Sequence, residues 1–213
     1  MFDTIMARGF SPRATAIAAR TTGGCYQACN YPDARPLIGL AVVSVAPVEG
    51  GYAYHTEARA LRNDELPGVL LEWLEERLPD DGALISWDHW CPLPARLKAL
   101  AGERYPRIRD AAADTAGRWR DLPRSMSWPL RHAPAAAMPC LCGPTPAEAC
   151  RPQLPAALLP DPAITEQTLI DEGLRGWTTW ARLFADFDDV AHPANVALAA
   201  ARSWAPSQVS TAG

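Results

Sequence analysis

"ATAIAARTTGG", residues 14–24, reads as a short apolar strand running into a Thr-Thr-Gly-Gly turn, with Ala18 and Arg20 at the end of the strand. Strand ends in α/β folds are where ligands and metals are held, so the residue types delivered there report on chemistry. An arginine at such a mouth sets the question for the rest of the chain. "LIGLAVVSVAP", 37–47, follows as a β-branched apolar run suited to a strand buried on both faces. The pair Gly50-Gly51 then marks a hairpin turn into "GGYAYHTEA", which alternates Tyr52, Tyr54 and Thr56 on one side. Three adjacent strands joined by a hairpin are expected.

Beyond them, "NDELPGVLLEWLEERLPDDG", 63–82, places Leu66, Leu70, Trp73, Leu74 and Leu78 on one helical stripe, closed by Pro79 and Gly82. "ALISW", 83–87, is a short buried strand, and "DHWCPLPARLKALAGERYP" a loop leading into a helix around 94–101. From 104 to 163 the chain is rich in Arg, Ala and Pro, and its prolines break any long helix into short pieces. Trp119, Trp128, Leu130 and Met138 need burial there, so packed short helices are expected. "ITEQTLIDEGLRGWTTWARLFADF", 164–187, carries apolar residues at helical spacing with Thr165 as its N-cap, and "PANVALAAARSWA" forms a last helix from Pro193 that ends before Pro206. The expected organisation is a single α/β domain over 1–205, with a loose tail at 206–213.

Composition narrows the function classes. The chain has 213 residues, 48% apolar and 21% charged, which is enough for one globular core. It has no run of about eighteen apolar residues and no secretory h-region near its start, so a cytoplasmic protein with no membrane partner is expected, in a GC-rich, bacterial setting. The net charge is −4 and Lys98 is the only lysine, so any nucleic-acid contact needs a local basic groove or bridging metal ions. Cys25 with Cys29 and Cys140 with Cys142 offer two halves of a zinc site at imperfect spacing; with Cys91 and Cys150 they otherwise read as ordinary thiols. The P-loop, the dinucleotide fingerprint, H-E-x-x-H and G-x-S-x-G are all absent from the sequence.

The succession "AIAARTTGG", "LIGLAVV", a tyrosine-bearing strand, "VLLEWLEERL" and "LISWDHWCPLPARLKALA" resembles the 3′–5′ exonucleases of the DEDD group, in the proofreading-exonuclease-like branch related to B-family DNA polymerases. The resemblance implies a ribonuclease H-like fold, a mixed sheet flanked by helices. The family's first strand carries D-x-E before such a turn, which puts Ala18 at the aspartate and Arg20 at the glutamate. In "WDHWCPLPARL" the family's N-x-x-F-D pattern falls with Asp88 at the asparagine, Cys91 at the phenylalanine and Pro92 at the aspartate. For the late Tyr or His that precedes an aspartate, "HPANVALAAA" offers His192 with Ala197 at the acid, while "DEGLRGWTTW" offers Leu174 or Arg175.

Each expected metal-binding carboxylate thus falls on a non-acid, and two-metal cleavage needs clustered carboxylates to hold divalent ions about 4 Å apart. The expectation is a pseudoenzyme with no cofactor that binds single-stranded nucleic acid or scaffolds another protein, with Arg20, Thr21, His89, Trp90, Arg96 and Lys98 as nucleic-acid contacts. Arg20 alternatively pairs with an acid such as Asp88. If Glu57, Asp110, Asp114, Asp171, Glu172, Asp188 or Asp189 rebuild the site, the chain is an active exonuclease using Mg or Mn. A third reading is a protein-interaction module unrelated to nucleic acid.

Overall fold

A computed structural model of the chain describes residues 9–21, 37–87, 93–115, 117–122, 159–186 and 188–209. Five strands, β1 (Ala14–Thr21), β2 (Leu37–Val48), β3 (Gly51–Ala60), β4 (Ala83–Trp87) and β5 (Trp119–Leu122), form one sheet in the order β3-β2-β1-β4-β5. The pairs β1·β2 and β2·β3 are antiparallel, and β1·β4 and β4·β5 parallel, so β2 alone runs against the rest. The expected α/β class and the three-strand hairpin meander are what the chain forms. A register shift between Arg20 and Thr21 kinks the end of β1 beside the arginine, as bulges near strand ends do when they re-aim a side chain.

Among the described residues five helices flank the sheet: α1 (Gly68–Arg77), α2 (Leu93–Ala101), α3 (Pro106–Ala113), α4 (Pro162–Arg182) and α5 (Pro193–Val209). Strand alternation divides the core in two. Ile17, Leu40, Val42 and Leu84 pack with α1, α2 and α3, while Ala14, Ala16, Val43, Val45 and Ile85 pack with α4 and α5. Arginines tie the first layer together. Arg107, at the start of α3, donates to the carbonyl of Glu75 at 2.6 Å and to that of Leu78, while the Glu75 carboxylate accepts the amides of Arg107 and Ile108 at 2.9 Å. The open carbonyls of one helix and the open amides of the next are satisfied by the same junction.

Several expectations shift. The first helix begins at Gly68, after Pro67, so Leu66 precedes it and is 60% exposed, off the stripe that buries Leu70 and Leu74. The segment expected to hold only short helices contains β5: Trp119 is buried as foreseen, and its indole donates to Ser86 Oγ at 2.8 Å across the β4–β5 pair. Helix α4 is capped by Asp161, which accepts the amide of Ala163 at 2.8 Å, because Pro162 fits the first turn; Thr165 is instead buried inside the helix. Helix α5 continues through Pro206 to Val209, past the expected boundary at 205. All six cysteines, Trp128, Leu130 and Met138 lie outside the described residues.

The seat of α4 is unusually close. A Cβ on Gly39 of β2 would lie 2.6 Å from Leu169 Cδ1, and one on Gly173 of α4 would lie 2.7 Å from Val43 Cγ2 and 4.0 Å from the Cβ of Ala18. Helix propensity favours Gly173→Ala by about 1 kcal/mol, yet the methyl would press on a stiff β-branched neighbour, and overpacking costs about 1–3 kcal/mol. The substitution is expected to be destabilising in urea denaturation, and less so in a Val43→Ala background. An additive pair of effects would refute the contact.

Candidate functional site

The side chains of β1 and β2 that face α4 are small or apolar from Ala14 to Ala18 and from Gly39 to Val45; on that face of these two strands Arg20 is the only charge. Because α4 sits so low over Gly39 and Ala18, its Glu172 comes down beside the end of β1. Glu172 and Arg20 attract one another. Glu172 Oε1 and Arg20 Nε are both buried, and neither has a hydrogen-bond partner among the described residues. Burial pushes the Glu172 carboxyl above the usual carboxylate range; Arg20 and then Arg175 pull it back down, and Asp171 adds a smaller upward push. Glu172 is the acid that sequence reasoning held only in reserve. Its neighbour Gly173 was the available signal, since a glycine inside an amphipathic helix marks close backbone approach.

The other residues expected at the site disperse. Ala18 and Thr21 flank Arg20 on β1. Ala197 is fully buried on α5, where its carbonyl accepts the Tyr54 hydroxyl at 2.6 Å. Tyr54 pairs with Val45 and Val45 with Ala14, so Ala197 belongs to the opposite end of β1 from Arg20. His192 caps α5 through Nδ1, which accepts the amide of Ala194 at 3.3 Å. Arg96 is only 7% exposed within α2, leaving little surface for a phosphate, whereas Lys98 is exposed on the same helix. Asp88, His89, Trp90, Cys91 and Pro92 lie outside the described residues.

The remaining reserve acids are committed elsewhere. Glu57 projects from the opposite face of the sheet, where hydrogen bonds from His55 and then Arg77 hold its carboxyl below the usual range. Asp114 accepts the amide of Gly117 at 2.8 Å, Asp110 pairs with Arg109, and Asp171 accepts from Gln167. Asp188 and Asp189 stand exposed between α4 and α5 and do not end a helix; Asp189 accepts the amide of Ala191 at 2.9 Å.

No group of three or more His, Cys, Asp or Glu side chains gathers at metal-binding distance among the described residues. What the described part of this strand end offers a divalent ion is one carboxylate with a guanidinium beside it. That donor set does not fit a pair of divalent cations, because a fixed positive charge repels them at short range. No protein-family model, curated protein or solved structure matches this chain. No helix among the described residues is long and apolar enough to cross a membrane.

A carboxyl whose folded value is raised favours folding below its ordinary value, and that contribution is lost as pH climbs through the raised one. Glu172→Gln is therefore expected to gain stability relative to the parent chain as pH rises above the ordinary carboxylate value. Arg20→Met should carry the loss to higher pH and widen the gap, since removing the guanidinium raises the carboxyl further. Melting curves across that rise in pH check both, and a pH-independent difference would sink the coupling.

Proposed function

We propose that this chain is a ribonuclease H-like domain of exonuclease type that associates with single-stranded nucleic acid or its ends without cutting it. The observation that carries the reading is the guanidinium of Arg20, set at the end of the first strand against the buried acid of α4. A five-stranded mixed sheet with only β2 reversed is compatible with the ribonuclease H-like fold that the sequence resembles. In an active two-metal site, divalent cations neutralise the phosphate and activate water. Here a tethered cation supplies positive charge and has no means of activating water, so a sugar-phosphate chain is held and stays intact. Arginine suits that task because its planar fork meets phosphate oxygens in pairs and keeps its charge at every working pH.

Fluorescence anisotropy with labelled single-stranded DNA at low salt tests the reading. The parent chain is expected to bind, and Arg20→Glu to weaken binding about tenfold or more and lower the salt dependence by about one counterion. Binding unchanged by that substitution would remove Arg20 from the interface. The same DNA incubated with Mg or Mn is expected to stay uncut; processive shortening from its 3′ end would instead establish an active exonuclease.

A further inference from the structure

The two edges of the sheet are unlike each other. β5 is four residues long, the kind of short edge that resists pairing. β3 is ten residues long, regular in register from Gly51 to Ala60, and carries neither proline nor lysine. No strand among the described residues pairs with its outer side.

The hydrogen-bond phase of that side is fixed by two contacts. The amide of Leu61 donates inward to the carbonyl of Ile38 at 2.8 Å, whereas the amide of Ala60 turns outward and is taken by Glu166 Oε1 of α4 at 3.0 Å. Antiparallel strands alternate inward and outward groups, so Tyr52, Tyr54, Thr56 and Ala58 point their backbone groups outward. Glu166 closes only the Ala60 end.

We infer that the β3 edge is a self-association surface, on which a second copy of this chain adds its own β3 antiparallel about a two-fold axis through Thr56. Charge complementarity selects both the partner and the register. An axis at Thr56 sets His55 of each copy opposite Glu57 of the other, and Tyr54 opposite Ala58, a large ring against a small side chain. An axis at Glu57 would oppose acid to acid, and one at His55 would oppose imidazole to imidazole. An axis at Ala58 sets Thr56 opposite Ala60, whose amide is already bound, in the first pair beside the axis, whereas the axis at Thr56 meets that amide only at the outermost pair, with Tyr52; one at Tyr54 runs into the hairpin at Gly50. His55, with 69% of its side chain exposed, already lies 2.7 Å from Glu57 of its own strand, so imidazole and carboxylate stand together on the rim of the edge. Two such edges make an isologous interface that leaves neither β3 unpaired.

Sedimentation of the full chain from micromolar to hundreds of micromolar concentration tests this. A monomer–dimer equilibrium is expected. Thr56→Pro removes an amide that points away from β2, so it should leave the circular dichroism unchanged while weakening the dimer about tenfold or more. His55→Glu, which sets acid against acid, should act in the same direction and serves if the proline variant fails to fold. A parent chain monomeric throughout, or folded variants that dimerise as the parent does, would overturn the inference. Neither outcome bears on nucleic-acid binding at Arg20, which lies on another strand.

Discussion

The height at which α4 rests on the sheet governs the rest of the molecule. Gly39, Ala18 and Gly173 are small where helix and sheet meet, and contacts of 2.6–2.7 Å to a hypothetical Cβ leave no room for anything larger at the two glycines. This closeness buries Trp177 and Trp180 completely and brings Glu172 within electrostatic reach of Arg20. A helix riding higher would leave that carboxylate in water, where its attraction to the guanidinium would be screened. Packing made from absent side chains thus produces an electrostatic feature in an otherwise apolar interface.

That feature differs in kind from a metal site. A bound ion comes and goes with its concentration, and its ligands repel one another when it leaves. The charge of Arg20 is covalently attached and cannot dissociate from the site as an ion does. Glu172 therefore lives beside permanent positive charge, and what varies is its own proton. The buried Nε of Arg20 and Oε1 of Glu172, each without a partner among the described residues, are costly to leave so, at about 1–3 kcal/mol for such a group. A strand end that tolerates this cost for a guanidinium is organised around positive charge, which suits an anionic phosphate and opposes a divalent cation.

How far the sequence foretold this depended on whether the signal was local. The strands at 14–21, 37–48, 51–60 and 83–87 were legible because apolar runs and alternation are properties of a few neighbouring residues. β5 escaped because four residues, "WRDL", contain no period long enough to read, and their strand character comes from pairing with β4. The cap of α4 was displaced from Thr165 to Asp161 for a similar reason: Thr165 has the right chemistry for a cap but is drawn under the helix against Gly39. In the site, Arg20 was evident from the turn that follows it, whereas Glu172 lies on a helix far along the chain, and only the packing of α4 across β1 and β2 brings the two together. His192 and Ala197 were attractive by spacing, yet spacing alone does not say which end of the sheet a helix crosses.

Two of the three carboxylates of α4, Glu166 and Glu172, explain why this helix serves both places. Glu166 and Glu172 are six residues apart, which on an α-helix turns them to different sides. One reaches outward over β2 to the amide of Ala60 on the β3 edge, and the other faces Arg20 on β1. The glycines set how close the helix lies, while Glu166 ties it to the β3 edge. The strand end and the sheet edge, separate in chemistry, therefore meet a common element: α4 carries both the buried acid that faces Arg20 and the acceptor that closes the Ala60 end of the β3 edge.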